Sequence, residues 1–363
     1  MHTARSFLTP RRVGLPLAAA AALTLGAPLV APVSAEADED TDVTPARAEG
    51  ADRYETAATL ADLEFDTSHD AFVASGADFP DALAVSYPAG PAGESHGPIL
   101  LTGPDTVPDA TDAALADLEV ERVFVVGGQQ AVDEQVVDHL EDDGYEVHRL
   151  DGADRYETAA DLAFGWGETP WGDVGTLDGD PTALLASGAD FPDALSAGPI
   201  AANAAFPLLL TPPEQAHPEV DATLDDLDIE RIVIVGGEQA VDGDLVAHYE
   251  DAGYEVERWA GQDRRETATT VADNAIERLG FDPALTLLAR GDDYPDALSA
   301  SVHAGNQAAP MLLSVDPDRL GDEAGTWLED ACPNVEVIRA LGGTDAISED
   351  TLDAAVGAAE WCA

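Results

Sequence analysis

Three arginines stand at equivalent places in a chain that has few basic side chains. The 363 residues contain 16 basic side chains, all of them arginine, against 72 acidic ones. Arg53, Arg155 and Arg264 each follow an aspartate in the pattern Asp-Arg-x-Glu-Thr-Ala. A guanidinium group offers a planar fork of donors that fits a phosphate or a carboxylate. Each arginine could therefore hold an anionic ligand, or it could pair with an aspartate of a neighbouring motif and join two loops.

A second repeated motif supplies those aspartates. Ser-Gly-Ala-Asp-Phe-Pro-Asp-Ala-Leu at 75–83 recurs at 187–195, and a variant occupies 290–298. The candidate partners of the arginines are its later aspartates, Asp81, Asp193 and Asp296. The earlier aspartates, Asp78, Asp190 and Asp293, are further candidate ligand contacts. The acids also have a structural explanation, since the spacing of Asp52 and Glu55 is that of a capping box at a helix start.

Two more motifs recur in all three places. An apolar run that begins with proline ends at Thr102, at Thr211 and at Ser314. Another apolar run is followed by paired glycines, which permit a tight turn from a strand into a helix. The residues of these motifs that we predict to contact a ligand are Thr102, Thr211, Gly127, Gly128, Gly236, Gly237, Gly342 and Gly343.

Patterns typical of catalysis, metal binding and nucleotide binding are missing from the sequence. The histidines are scattered, and His139 and His248, which do correspond, are expected on an exposed helix face. Neither a Gly-x-Ser-x-Gly elbow nor a Gly-x-Gly-x-x-Gly loop occurs. We therefore predict no catalytic residue, no metal site and no cofactor, so the protein is expected not to be an enzyme.

The motifs divide the chain into three copies of one unit. The Gly-Gly pairs begin at residues 127, 236 and 342, so the period is a little over 100 residues, which is the size of a domain. The predicted layout is a signal peptide at 1–35, an acidic linker at 36–46, and repeats at 47–150, 151–259 and 260–363.

Within each unit the sequence alternates between strand and helix patterns. In the second copy the predicted strands are 183–186, 207–210, 231–235 and 255–259, and the predicted helices are 155–163, 192–204, 218–227 and 244–252. Short, wholly apolar strands between helices are typical of a parallel sheet that is covered on both faces. Each unit is thus predicted to be an α/β domain of the (βα)4 type. The shared motifs then lie at the carboxyl ends of strands, where open parallel sheets bind ligands.

The charge and the amino terminus limit the partners and the location. A net charge of −56 argues against nucleic acid and against an anionic membrane surface. It also indicates a protein adapted to concentrated salt, which screens the self-repulsion. Arginines followed by an apolar stretch and by Val33-Ser34-Ala35 predict a secretory signal, with a membrane anchor as the alternative. No later stretch is long and apolar enough to span a bilayer, so we expect a secreted protein.

Cys332 and Cys362 are the only cysteines and lie near the carboxyl end. In an exported protein two such cysteines usually form a disulfide. A metal-binding pair is the alternative, but no nearby histidine completes a set of ligands. We predict a disulfide between them.

Three of these motifs, Asp-Arg-Tyr-Glu-Thr-Ala, Ser-Gly-Ala-Asp-Phe-Pro-Asp-Ala-Leu and Val-Gly-Gly, resemble the cell wall-binding repeat 2 family of surface proteins. The resemblance implies three α/β units packed as a pseudo-threefold triangle, which hold a protein non-covalently on the cell wall or cell surface. It also implies an anionic wall polysaccharide or teichoic-acid-like polymer as the partner. The third copy departs from the pattern, since Arg265 replaces the tyrosine and Arg290 the serine. Divalent cations could bridge the carboxylates to the polymer. A self-assembling surface coat is the alternative function.

Overall fold

Short apolar strands alternate with helices throughout the part of the chain that the structure describes. This computed structural model describes residues 43–77, 80–90, 96–165, 171–189, 192–293 and 295–362. The predicted signal peptide, residues 36–42 of the predicted linker, Asp78 and Asp190 lie outside these ranges.

The first sheet is wholly parallel. Its strands, in the order in which they pair, are β3 (Ile99–Thr102), β2 (Asp70–Ser75), β4 (Arg122–Val126) and β5 (Glu146–Leu150). The helices of this region are α1 (Arg53–Glu64), α2 (Pro80–Ala84), α3 (Ser86–Ala89), α4 (Asp109–Asp117) and α5 (Glu134–Asp142). Every residue of β2 is buried, as expected for a strand that helices cover on both faces.

The second sheet repeats this arrangement with one addition. Its strands are β8 (Leu208–Thr211), β7 (Asp180–Ser187), β9 (Arg231–Val235) and β10 (Glu255–Trp259) in parallel, and β6 (Thr176–Leu177), which pairs antiparallel with β7. Its helices are α6 (Arg155–Phe164), α7 (Pro192–Ala204), α8 (Pro218–Asp226) and α9 (Gly243–Ala252). The sequence pattern did not predict β6, since its pairing with β7 covers only two residues.

The third sheet takes its last strand from the opposite end of the chain. Its parallel strands are β12 (Met311–Ser314), β11 (Leu285–Arg290), β13 (Val337–Leu341) and β1 (Thr44–Ala48). Its helices are α10 (Arg264–Leu279), α11 (Pro295–Asn306), α12 (Asp322–Ala331) and α13 (Glu349–Glu360). The predicted linker extended to residue 46, so its last part was wrong, because residues 44–46 belong to β1.

The strands β1, β5 and β10 are equivalent, and we call them the crossing strands. Each completes one sheet and then leads directly into the first helix of the following repeat. Two of them, β5 and β10, are also joined by a short turn to the repeat whose sheet they complete. Because the polypeptide is linear, β1 reaches the third sheet without such a connection. We call the junction between repeats 3 and 1 the seam.

The apolar core has one shared part and three separate parts. A central cluster takes side chains from all three repeats, among them Phe72, Leu184 and Leu287. Each sheet buries its other face in a cluster of its own repeat, for example around Val123, Ile232 and Ile338. Both faces of every sheet are therefore apolar, and the repeats cannot separate without exposing the central cluster to water.

A close approach of three equivalent residues marks the pseudo-threefold axis. Ser86, Gly198 and Ser301 occupy the same place in α3, α7 and α11. A Cβ atom at Gly198 would lie 2.2 Å from Ser301 Oγ and 3.2 Å from Ser86 Oγ, so the axis leaves no space for a side chain there. The α/β fold with parallel four-stranded sheets and the triangular packing are confirmed.

The carboxyl end is held by the predicted disulfide, which is confirmed. Cys332 ends α12 and Cys362 follows α13, and their Cα atoms are 5.4 Å apart. Within the described residues, no helix has both the length and the apolar composition needed to cross a membrane.

Candidate functional site

Three similar crevices lie at the carboxyl ends of the parallel strands, each between two neighbouring repeats. Crevice 1–2 is lined by Asp81, Gly128 and Arg155, and has a volume of about 410 Å³. Crevice 2–3 is lined by the equivalent Asp193, Gly237 and Arg264, and has a volume of about 660 Å³. Crevice 3–1 lies at the seam, is lined by Asp296, Gly343 and Arg53, and has a volume of about 660 Å³.

Each of the three arginines lies in the crevice at the sheet edge of the preceding repeat, and not in that of its own repeat. The sequence placed the arginine and the aspartate of one repeat at the same rim. In the structure, however, Arg155 lines a crevice with Asp81, Arg264 with Asp193, and Arg53 with Asp296. The difference arises because each crossing strand pairs with the sheet of the preceding repeat. The helix that follows this strand therefore begins at the edge of that sheet. A single repeat therefore supplies only half of each crevice.

The arginines Arg53, Arg155 and Arg264, which we call the rim arginines, each hold a loop of their own repeat. Each occupies the first position of its helix and donates from Nη1 to the carbonyl of the glycine that follows a strand. Arg155 Nη1 lies 2.7 Å from Gly188 O and Arg264 Nη1 lies 2.9 Å from Gly291 O, while Arg53 donates to Gly76 O. Nη1 of each rim arginine thus joins two loops of its own repeat, and the same residue lines the crevice formed with the preceding repeat.

The predicted capping boxes are present at the same helix starts. Asp52 Oδ1 accepts from the amides of Tyr54 at 2.9 Å and Glu55 at 3.0 Å, and Glu55 Oε2 accepts from Ala51 N at 2.7 Å. The same pattern occurs around Asp154 and Asp263. These aspartates fix the helix ends that carry the rim arginines, as their structural interpretation predicts.

The second glycine of each Gly-Gly pair, Gly128, Gly237 or Gly343, lines the opposite wall of its crevice. The first glycine has a positive φ, +100° at Gly127 and +114° at Gly236, and its amide bonds to the end of the crossing strand. A Cβ atom at Gly127 would lie 2.4 Å from Asp81 Oδ2. Glycine is therefore required at this position both by the backbone angle and by the carboxylate that packs against it.

A second set of arginines, which the sequence analysis did not single out, lies beneath these loops. Arg47, Arg149 and Arg258 are carried by the crossing strands, and each donates to the carbonyl of the first glycine of a Gly-Gly pair. Their side chains are largely buried, with 11% exposure at Arg47 and 16% at Arg149. Each stands six residues before a rim arginine. That constant spacing is the signal by which they could have been found.

Carboxylates outnumber guanidinium groups in all three crevices. Counting only the lining that the structure describes, crevice 1–2 has two carboxylates to one arginine, and crevice 2–3 has three to one. Crevice 3–1 has five carboxylates to two arginines, since Arg290 and Asp293 join its lining. Burial raises the pKa of Asp296, against the opposing effect of Thr56 and Arg53.

Five of the predicted contact residues that the structure describes do not line a crevice: the first glycines Gly127, Gly236 and Gly342, and the two threonines. Thr102 and Thr211 have no exposed surface, and their hydroxyls are bonded to Thr106 O at 3.0 Å and to Pro212 O at 3.1 Å. Neither lines a crevice, so the prediction that they contact a ligand does not agree with the structure. They stabilise the loops at the ends of β3 and β8 instead.

The two histidines that correspond between repeats lie outside the crevices. His139 and His248 have side chains that are 43% and 46% exposed, which confirms the expected exposed helix face. His139 Nε2 is 3.1 Å from Asp112 Oδ2 and 3.5 Å from Asp143 Oδ2. Among the described residues this is the one group with the spacing of metal ligands, and exposed ion pairs of this kind are common without a metal.

Three segments of the chain, 47–137, 149–246 and 258–352, match the family described as cell wall binding domain 2 (CWB2). They contain the rim arginines, the crossing-strand arginines and the Gly-Gly loops. The chain belongs to the CWB2 family. Its three CWB2 repeats are the three units of the triangle, as the resemblance in the sequence implied.

Two curated proteins and a solved structure are similar to this chain. The chain is 24% identical over 268 residues to the N-acetylmuramoyl-L-alanine amidase LytC of Bacillus subtilis, which covers 74% of this chain and 50% of that protein. It is 27% identical over 264 residues to the amidase enhancer of the same organism, covering 73% and 34%. The solved structure of Cwp6 from Clostridium difficile superposes with a TM-score of 0.75 at 21% identity, covering 87% and 48%.

The chain spans about half or less of the length of these relatives. The similarity to Cwp6 shows the fold, and the CWB2 family membership indicates a binding role and a location at the cell wall or cell surface.

Proposed function

We propose that the protein is a non-catalytic, secreted protein that attaches non-covalently to an anionic polymer of the cell wall through its three crevices. The observation that carries this proposal is the repetition of one composite crevice at every junction, with a guanidinium on one wall and a Gly-Gly loop on the other. Three similar sites on one rigid unit suit a repetitive polymer, because linked contacts gain affinity through effective concentration.

The acidic lining sets the conditions under which an anionic polymer would bind. In dilute salt the carboxylates and the net charge of −56 repel such a polymer. In salt near 1 M the screening length falls to about 3 Å, so only direct contacts with arginine persist. Divalent cations bridging crevice carboxylates to the polymer would add to these contacts. We therefore propose binding that strengthens with salt or with divalent cations.

The direct test is co-sedimentation of the protein with envelopes of its own source at high salt. Envelopes stripped of their anionic polymers serve as the comparison, and protein sedimented alone reveals self-assembly. Binding to intact envelopes only is the expected result. Binding to neither preparation would contradict the proposal, and sedimentation without envelopes would favour a self-assembling coat.

The role of the rim arginines is tested with charge-reversing variants. Replacing Arg53 and Arg155 with glutamate should weaken co-sedimentation strongly, because only crevice 2–3 keeps its rim arginine, while the circular dichroism stays unchanged. Arg319→Glu is the matched control, because Arg319 is an exposed arginine that pairs with Asp316 outside the crevices. If the double variant binds as the control does, the rim arginines serve only to join loops.

A further inference from the structure

The crossing-strand arginines Arg149 and Arg258 hold both ends of a Gly-Gly loop with one guanidinium group. Arg149 Nη1 donates to Gly127 O at 2.7 Å and to Val132 O at 2.9 Å. Arg258 donates to Gly236 O and, from Nη2, to Val241 O at 2.8 Å. The two carbonyls in each pair stand five residues apart, at the first glycine and at the end of the loop.

The loop held in this way is the part of the repeat that lines the crevice. Residues 128–131 line crevice 1–2, and residues 237–240 line crevice 2–3. Inside the loop a single turn is closed by Val132 N donating to Gly128 O at 3.0 Å, and by Val241 N donating to Gly237 O at 3.0 Å. Such a short loop has few bonds of its own, so the guanidinium beneath it contributes much of its rigidity.

The seam differs at this point. Arg47 donates to Gly342 O at 3.0 Å and to Glu349 Oε1 at 3.2 Å, and the second contact matches that of Arg149 with Glu134 at 3.3 Å. Among the described contacts, Arg47 does not reach Ile347 O, the carbonyl equivalent to those of Val132 and Val241. Arg47 therefore holds the loop of crevice 3–1 at one end only. The strand that carries this arginine is also not joined to the loop's repeat by a short turn.

We propose that Arg47, Arg149 and Arg258 are positioning residues, which preorganise the Gly-Gly loops for the polymer without touching it. This proposal rests on the proposed function and ranks the three crevices by their affinity for the polymer. A loop that is already ordered loses less entropy when a ligand binds. Crevices 1–2 and 2–3 therefore bind the polymer more tightly than crevice 3–1.

Hydrogen exchange of the loop amides tests the positioning without any ligand. In Arg149→Gln, residues 128–131 should exchange faster than in the unaltered protein, while residues 237–240 keep their rate. Arg258→Gln should show the reverse. Arg122→Gln is the matched control, because Arg122 bonds to buried Asp70 near the amino ends of β2 and β4, away from the crevices. It should reduce stability and leave both loops unchanged.

Binding is then measured by co-sedimentation with isolated envelope fragments, at a temperature where every variant is folded. Loss of bonds to a charged group predicts that Arg149→Gln and Arg258→Gln each weaken binding about tenfold. Arg47→Gln should weaken it by roughly threefold, because that loop is held at one end. Arg149→Lys keeps the charge but not the planar group that places Nη1 between the two carbonyls, so it should fall between Gln and the unaltered residue.

Three outcomes would overturn the positioning role. They are unchanged loop exchange in Arg149→Gln, faster exchange of both loops in Arg122→Gln, and equal binding by Arg149→Gln and the unaltered protein. Failure of the unaltered protein to bind envelopes would instead contradict the proposed function, and the exchange measurements would still decide the positioning role.

Discussion

The junction between repeats 1 and 2 and the seam between repeats 3 and 1 solve the same packing problem with different chemistry. At the first junction Trp171, which is 3% exposed, packs edge-on against Phe124 and Phe72 with ring centroids 5.3 and 5.9 Å apart. At the seam a buried polar group takes this place. Glu64 Oε2 accepts from His303 Nδ1 at 2.9 Å, and the Arg339 guanidinium donates to His303 Nε2.

The bonds at the seam define the state of the histidine. Arginine has no acceptor, so His303 Nε2 must accept, and the proton on Nδ1 is donated to Glu64. The carboxylate and the guanidinium thus lie on opposite sides of a neutral ring that is 3% exposed. Gln307 adds a further bond to Glu64 at 3.1 Å.

Directional polar contacts are needed where the chain itself does not align two repeats. The junction between repeats 1 and 2 is aligned by its covalent connection, so the apolar packing of Trp171 is sufficient there. At the seam, repeats 1 and 3 associate without a direct chain connection. The directional hydrogen bonds between Glu64 and repeat 3 form in only one alignment of the two repeats. In a triangle of near-identical repeats such bonds favour closure within one molecule in the correct register.

The largest expected effect comes from removing the carboxylate at the seam. Glu64→Ala leaves buried His303 without its acceptor and half-buried Arg339 without a nearby counter-charge, which should cost about 3 kcal/mol of the free energy of unfolding. Glu257→Ala at the junction between repeats 2 and 3 is the comparison, since Glu257 is 26% exposed and shares its arginines with other acids. It should cost less. Chemical denaturation of both variants measures the difference, and equal losses would mean that the seam has no special dependence on its polar group.

A substitution at the axis should disturb all three junctions together. Gly198→Ala places a methyl group where Ser301 and Ser86 already meet, and overpacking of this kind typically costs about 2 kcal/mol. Combining it with Ser301→Gly should restore most of the stability, because the nearest clash is with Ser301 Oγ. Thermal unfolding of the single and double variants tests this. No recovery in the double variant would show that the axis is not the close contact described here.

Lowering the salt concentration should separate the seam from the crossed junctions. At about 0.01 M salt the screening length is near 30 Å, so repulsion acts across the whole acidic molecule. Repeats 3 and 1 have no direct chain connection, so they can separate at the seam while the polypeptide still joins the other two pairs of repeats. Hydrogen exchange should therefore increase in β1 and β13 before it increases in β4 and β5. Simultaneous exchange in all four strands would contradict this order, and a measurement at 1 M salt is the control.

The smallest expected effect is an opposite pH dependence of two seam carboxyls. Burial by itself would raise the pKa of Glu64, but hydrogen bonds from His303 and Gln307 lower it overall, below 4.5. Its stabilising contribution is thus present above pH 4.5 and is lost as the pH falls through the lowered value. Burial raises the pKa of Asp296 above 3.8, so its ionisation costs stability as the pH rises through the raised value.

These signs predict distinct pH profiles for two neutral variants. Glu64→Gln should lose stability at pH 7 and converge with the unaltered protein in acid. Asp296→Asn should be equal in acid and gain slightly at pH 7. Urea unfolding from pH 3 to pH 7 measures both profiles. Parallel profiles for the two variants would show that the two carboxyls do not differ in the way described.

Much of the local structure followed from the sequence pattern. The predicted bounds of α7, β9 and β10 agree with the structure, because a proline begins α7 and short apolar or alternating runs define the two strands. The capping boxes and the Gly-Gly turns were equally predictable, since their chemistry is complete within a few residues. The buried positions of Thr102 and Thr211 were not, because a threonine at the end of a strand has the same local pattern whether its hydroxyl faces a ligand or a loop carbonyl.

The residue patterns were enough to predict three α/β units, the edge of each sheet at which their motifs lie, and the disulfide near the carboxyl end. Which motifs meet depends on the packing of the repeats: Arg155 with Asp81, Arg264 with Asp193, and Arg53 with Asp296. The same packing decides that β1 completes the third sheet. The physical reason is that the repeats carry the same local signals, which cannot distinguish one copy from another. The choice of partner comes from burying the shared core around Ser86, Gly198 and Ser301.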